Sequence, residues 1–290
     1  MSTEYDVSRD RWGRPQIKPN PNAGTGGGAP VAYTRVSTLA KTLDEPNALI
    51  QWKARMAILG LARSPHLVLE VQGLDAIHDD PVTAARTTLN HVADRAAEAA
   101  GSSAAASTGT ALHAFTQAID EGRKLAIPPQ WQAHIDAYRT ATAHLPAVMV
   151  EAFVVVDEVQ AAGTMDRLVR LPDGRVVVAD LKTGAHDPHY PLGVCTQLAL
   201  YARGKRYDAD TGERQELHPD LDPNLGLLIH LPAKVKDGAA PTCTIYALDL
   251  SVGWYAAQLA TQVRTIRKHK PITPFESAHT PQSTTGAIAS

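Results

Sequence analysis

Apolar positions along the chain change period near residue 146, from helical to extended. Upstream, Leu39, Leu43, Leu49, Trp52, Met56 and Leu59 recur mostly at three- to four-residue steps, the repeat of a helix with one buried face. Pro46 divides this stretch, residues 36–62, into two helices. An alanine-rich helix is predicted over 84–100, ended by Gly101. Another runs over 107–122, with Ser107 or Thr108 as cap, Leu112, Phe115 and Ile119 as its buried stripe and Gly122 as its stop. His113 lies off that stripe, on the face it shares with Gly109 and Gln117. A glycine one turn below a histidine lets something approach the backbone closely. A further helix over 129–142 completes this half.

Downstream, the pattern predicts strands over 148–156, 163–171 and 175–182, with Asp173-Gly174 as the hairpin turn between the last two. A helix over 193–203, strands over 225–231 and 242–250, and a closing helix over 252–268 follow. The order is helices, three strands, helix, two strands, helix, which gives an α/β class with a mixed sheet of the α+β kind. Residues 1–30 carry Pro15, Pro19, Pro21 and Pro30 and the cluster Gly24, Gly26, Gly27 and Gly28. They offer little to bury and read as a flexible arm. No strand precedes that glycine cluster and no Gly-Lys-Ser/Thr follows it, so it is not a phosphate loop. Residues 31–271 read as one domain, with a helical part over 31–146 and a mixed-sheet part over 147–271. Residues 272–290 read as a disordered tail.

Composition narrows the function classes. Of 290 residues, 28 are Lys or Arg and 30 are Asp or Glu, a net charge of −2, which excludes binding of nucleic acid by bulk charge. Hydrophobic residues make up 44% of the chain, enough for a core of its own. Cys195 and Cys243 are the two cysteines, too few for a disulfide framework or an all-cysteine cluster. No run approaches the length of a membrane span, and Met1 to Asp6 lack the order of a secretory signal. A cytoplasmic protein without membrane contact is expected.

The chemistry gathers on the strands. Val176-Val177-Val178-Ala179-Asp180-Leu181-Lys182 is an apolar run ending in an acid and a lysine two residues apart, hence on one face. An unpaired buried charge is costly, so this pair must face a cleft or be neutralised. Asp166 stands among apolar residues on the preceding strand and Glu151 on the first. Taken singly, these residues read rather as a cross-strand ion pair of Asp166 with Lys182 and a Glu151 at an exposed strand end. Together, three acids from adjacent strands, a lysine and a helix-borne histidine suit a hard divalent cation that leaves room for phosphate oxygens. Hairpin register is decisive for them. A two-residue loop at Asp173-Gly174 would pair Asp166 with Leu181 and turn it away, whereas an odd loop or bulge is expected to pair it with Lys182.

These residues resemble a known family. Gly109-Thr110-Ala111-Leu112-His113, Glu151, Gly163-Thr164-Met165-Asp166, Asp180-Leu181-Lys182-Thr183-Gly184 and Gln197-Leu198-Ala199-Leu200-Tyr201 follow one another as do the motifs of the PD-(D/E)XK nuclease superfamily. The order is most similar to its RecB-type exonuclease branch, which includes CRISPR-associated and phage-encoded members. The resemblance implies a restriction-endonuclease-like core of αβββαββα order behind an N-terminal helical subdomain, and metal-dependent hydrolysis of DNA by an exonuclease of recombination, replication or repair. It implies Asp166, Asp180 and the Leu181 carbonyl as ligands of Mg²⁺ or Mn²⁺. It also implies His113 as a helix-borne ligand, Lys182 as the catalytic lysine and Glu151 as a supporting acid. Gln197 and Tyr201 would orient Lys182 or touch the DNA backbone, or simply pack. Many relatives carry four cysteines for an iron–sulfur cluster, which is not expected here.

DNA, single- or double-stranded, is the implied partner, with a recombination or replication protein as a further one. Arg203, Lys205 and Arg206 form one candidate phosphate-contacting run, and Arg264, Arg267, Lys268 and Lys270 another. His186 and His189 follow Lys182 but lack further ligands for zinc. A non-catalytic DNA-end-binding module on the same fold is the alternative; a small-molecule α/β enzyme lacks a glycine-rich cofactor loop.

Overall fold

The computed structural model describes residues 7–23, 28–184, 188, 191–235 and 238–269. Short strands β1 (Gln16–Ile17), β2 (Val31–Ala32) and β3 (Thr34–Arg35) come first. Helices α1 (Val36–Ala40), α2 (Asn47–Ala62), α3 (Pro65–Ile77), α4 (Pro81–Ala84), α5 (Arg86–Ala99), α6 (Ser102–Asp120) and α7 (Pro129–Thr142) follow. The rest comprises β4 (Ala147–Val156), β5 (Ala161–Arg170), β6 (Val176–Lys182), α8 (Leu192–Ala202), β7 (Lys205–Tyr207), β8 (Arg214–Gln215), β9 (Leu221–His230), β10 (Thr244–Asp249) and α9 (Leu250–Ile266).

The strands order as β10-β9-β6-β5-β4-β7-β8, with β3 paired to β5. Strands β6 and β9 are parallel because α8 carries the chain across between them, and β4, β5 and β6 are antiparallel neighbours. Strand β6 is covered on both faces, which explains its unbroken apolar run. Val176 and Val178 pack with Leu198 and Ala199 of α8, while Val177, Ala179 and Leu181 pack with Leu112 of α6 and Ile135 and Tyr138 of α7.

Strand β5 is open along part of one edge. Its first residues, Ala161 and Ala162, pair with β3, and Arg167 to Arg170 pair with β6. Between these ladders Gly163, Thr164, Met165 and Asp166 pair with no strand on that side among the described residues. This interruption of the sheet positions the site.

Three expectations are corrected. The hairpin loop has three residues, as an odd loop requires, but it spans Pro172 to Gly174, with the Leu171 amide donating to the Arg175 carbonyl at 2.8 Å. Register therefore sets Asp166 opposite Asp180 and not opposite Lys182. Pro172 has no amide to give to a ladder, and Gly174 takes φ +93°, so the turn begins one residue earlier. Within the segment read as a flexible arm, residues 7–23 dock on the sheet. Val7 and Ile17 are buried with Phe153 and Tyr207, and the Lys18 amide donates to the Tyr207 hydroxyl at 3.0 Å. Two isolated apolar residues anchor a proline-rich strand too short to show a period. The apolar stripe of α2 is largely exposed, Leu49 at 54% and Leu59 at 42%. That helix instead meets α5 backbone to backbone at Gly60, where a Cβ would lie 1.6 Å from the Ala96 carbonyl oxygen. Residues 270–290, including the expected tail, and His186 and His189 lie outside the described residues.

Candidate active site

Where the β5–β6 ladder stops, Asp166 leans across the opening, and its Oδ2 accepts the Leu181 amide at 3.1 Å. Asp180, on the next ladder step, is 2% exposed. Its Oδ1 accepts a hydrogen bond from Gln197 Nε2 at 2.9 Å, and its Oδ2 lies 2.6 Å from Lys182 Nζ. That Oδ2 accepts no well-aligned hydrogen bond. Burial pushes the Asp180 carboxyl up, and the neighbouring Asp166 charge pushes it further against the pull of Lys182. The lysine is 38% exposed at the rim. Thus the period-two spacing of Asp180 and Lys182 yields a buried acid and an accessible ammonium in contact.

Helix α8 supplies the floor. Gln197 and Tyr201, one turn apart, divide the work. Gln197 holds Asp180, while Tyr201, 4% exposed, donates its hydroxyl to the Thr164 carbonyl at 2.7 Å and so satisfies an acceptor on the open edge of β5. A Cβ on Gly163 would lie 3.0 Å from that hydroxyl, which accounts for glycine there.

Glu151 sits in the middle of β4 with φ +52°, left-handed backbone that a non-glycine residue adopts at a cost of about 1–3 kcal/mol. Its carboxyl is pushed up to about 7 by burial first and by Asp166 second. His113 on α6 brings Nδ1 to 3.7 Å from Asp166 Oδ2. Burial holds its imidazole below the usual range, against the pull of Asp166. The close approach expected at Gly109 is made by the chain itself: a Cβ there would lie 2.6 Å from Thr183 Oγ1. Among the described residues no three His, Cys, Asp or Glu side chains already stand together as a metal-binding group.

Sequence reasoning missed a supporting layer. Arg167, 2% exposed beside Asp166, donates from Nη1 to Asp120 Oδ2 at 2.5 Å and to the Tyr138 hydroxyl. Its positive charge draws down the carboxyls of both Glu151 and Asp180. The signal was present, a charged residue next to Asp166 in an otherwise apolar strand, but its partners lie on two helices far away in sequence. His230, in parallel register with Lys182, bonds through Nε2 to the Gly184 carbonyl at 2.8 Å and ties down the segment after the lysine.

The first basic run has local partners. Arg203 donates to the Pro223 carbonyl at 2.7 Å and to Asn224 Oδ1 at 2.9 Å, Lys205 pairs with Glu216 at 2.8 Å, and Arg206 bonds to Gln215. Cys195 is buried in α8 with its thiol donating to the Asp249 carbonyl at 3.1 Å, and burial pushes the Cys243 thiol up to about 11.

Residues 64–245, well over half of the chain, match the family model of the PD-(D/E)XK nuclease superfamily. The chain belongs to the PD-(D/E)XK nuclease superfamily. The match spans α6, which bears His113, the strands that bear Glu151, Asp166, Asp180 and Lys182, and α8 with Gln197 and Tyr201. The mixed sheet between helices is the restriction-endonuclease-like fold of PD-(D/E)XK proteins, which are generally metal-dependent nucleases. A comparison with curated proteins gives no significant match. Among the described residues, no helix of this PD-(D/E)XK protein is long and apolar enough to cross a membrane.

Proposed function

We propose that the protein is a divalent-metal-dependent deoxyribonuclease that hydrolyses phosphodiester bonds of linear DNA from its ends, in recombination, replication or repair. The observation that carries this reading is the placement of Asp166 and Asp180 on successive strands at the open stretch of β5, with the Lys182 ammonium 2.6 Å from Asp180. Action from ends follows the order of motifs, which resembles the RecB-type exonucleases.

The residues present fit a hard cation. Asp180 Oδ2 is buried without an aligned hydrogen bond, and both Asp180 and Glu151 have carboxyls pushed up by burial and by Asp166. A cation relieves that crowding of negative charge. Asp166, Asp180 and the Leu181 carbonyl would hold Mg²⁺ or Mn²⁺, with His113 beside Asp166. When bound, such an ion supplies Lewis acidity toward a phosphoryl oxygen and lowers the pKa of water.

The remaining work belongs to side chains. Lys182 presents positive charge at the rim, where a phosphate oxygen gains charge during hydrolysis. Gln197 fixes the rotamer of Asp180, and the Leu181 amide fixes that of Asp166. Glu151, with its carboxyl near 7, can accept a proton at neutral pH. The experiment is degradation of end-labelled linear single- and double-stranded DNA beside closed circular DNA, in Mg²⁺, Mn²⁺ or EDTA. Metal-dependent loss of the linear DNA alone is expected. Absence of hydrolysis with every metal overturns the reading, and cutting of the circle overturns action from ends.

A further inference from the structure

A pocket of about 680 Å³ opens beside α1 and is lined by Arg35, Lys41, Arg264 and Arg267 together with the hydroxyls of Ser37, Thr38 and Thr42. Asp44 is the carboxylate that lines it among the described residues. The four cations come from three places: the end of β3, the turn after α1, and the last turn of α9 with the residues just beyond. Among the described residues none of the four makes an ion pair or a side-chain hydrogen bond. Several other surface arginines are paired, Arg14 to Asp10, Arg95 to Glu70, Arg170 to Asp220 and Arg175 to Asp173 and Asp222. In a chain of net charge −2, four cations drawn into one concavity against a single carboxylate among the described residues, with hydroxyl donors between them, form a strong local attraction for anions.

The pocket is joined to the candidate active site through α8. A Cβ on Gly193 would lie 3.0 Å from Asp44 Oδ1, on the pocket wall. Gln197, which holds Asp180, stands four residues further along the same helix face, a rise of about 6 Å. Val36, which follows Arg35, packs beneath Gly163 at the open edge of β5.

We propose that this pocket is a second phosphate-binding site, which grips the backbone of the DNA strand away from the bond being cut. The proposal rests on the nuclease reading for its choice of polyanion. Phosphate contacts of this kind position a strand without reading its sequence. They also supply the affinity that the acidic centre cannot supply by itself.

The test is binding of fluorescent linear DNA by anisotropy in EDTA, across about 50 to 200 mM salt, the range in which phosphate contacts are titrated out. Wild type is compared with the triple variant Lys41→Ala, Arg264→Ala, Arg267→Ala and with the charge-conserving pair Arg264→Lys, Arg267→Lys. The triple variant is expected to bind at least about tenfold more weakly, and its log–log salt slope is expected to fall by about 0.7 to 0.9 per contact removed. The lysine pair should retain most of the affinity. Affinity and slope unchanged in the triple variant overturn the proposal, as does loss of affinity in the lysine pair as deep as in the triple variant. Inorganic phosphate is the second arm. If it binds wild type tighter than millimolar, is lost in the triple variant, and leaves DNA binding untouched, the site serves a free anion and the proposal falls. DNA cleavage by wild type, assayed in parallel, separates the two readings. Cleavage with an unchanged triple variant removes the pocket alone, whereas no cleavage with weakened binding removes the nuclease reading alone.

Discussion

Gln197 Nε2 donates to Asp180 Oδ1 at 2.9 Å, which turns Oδ2 of the buried carboxylate toward the Lys182 ammonium, 2.6 Å away. A helix one crossover away from β6 thus decides how its acid is presented. Gln197→Ala removes that restraint without removing either of the proposed carboxylate ligands. Groups that orient metal ligands typically account for 10- to 100-fold in metal affinity or activity. The variant is expected to need at least about tenfold more Mn²⁺ for half-maximal cleavage, while still unfolding in a cooperative transition. A metal dependence equal to that of wild type would show that Asp180 is held by other means.

Glu151 keeps a left-handed backbone inside a strand, φ +52°. Glycine relieves that strain and removes a carboxyl raised by its neighbours. Glu151→Gly is expected to be more stable by about 1 kcal/mol in urea unfolding and to lose most of its activity. A stability below that of wild type would mean that the carboxylate contributes more to the fold than the backbone strain costs.

Arg167 and Asp120 form a buried ion pair at 2.5 Å. Truncating one partner leaves the other charge stranded, at a cost of about 3–5 kcal/mol. Asp120→Ala should therefore unfold at markedly lower urea concentration than wild type, while Glu70→Ala, which breaks the surface pair with Arg95, should shift stability by about 1 kcal/mol or less. Equal effects of the two substitutions would contradict the role given to Arg167.

Burial raises the Asp157 carboxyl, but hydrogen bonds from Arg214 and Tyr33 overcome it and hold it below the ordinary range. A depressed carboxyl contributes stability that is present above its unfolded value of about 3.9 and lost as pH falls through the lower folded value. The stability difference between wild type and Asp157→Asn, followed from pH 7 to 2, is expected to stay level down to about pH 5 and then shrink. A difference that grows on acidification would reverse the sign of the argument.

Several of these relationships could be read from the chain. The acid and lysine of β6 were legible because period two places Asp180 and Lys182 on one face and because a strand apolar on both sides has few reasons to carry charge. Asp173-Gly174 marked the hairpin turn, and the odd loop followed only from requiring Asp166 on the face of Asp180 and Lys182; its span was not legible, since Pro172 shifts the turn by one residue and register changes by two. The backbone of Glu151 could not be foreseen, because glutamate gives no local signal for positive φ; the surrounding sheet imposes it. Asp120, Tyr138 and Arg167 meet only through tertiary packing, as do Lys41 and Arg264 in the basic pocket. The burial predicted for Leu49 and Leu59 failed for a related reason. Helix α2 meets its neighbour through Gly60 and Ala96, small residues that hydrophobic periodicity overlooks.

The central claim is that Asp166, Asp180 and Lys182 at the open edge of β5 hydrolyse DNA with a divalent metal. It is tested most directly by single-turnover cleavage of linear DNA with Mg²⁺ or Mn²⁺, comparing wild type with Asp166→Asn, Asp180→Asn and Lys182→Ala, each confirmed as folded by its melting curve. Wild type should cleave, EDTA should abolish cleavage, and each variant should be slower by at least about 10²-fold, the loss seen when a transition-state-stabilising group is removed. Cleavage that persists in EDTA, or variants as fast as wild type, would contradict the assignment.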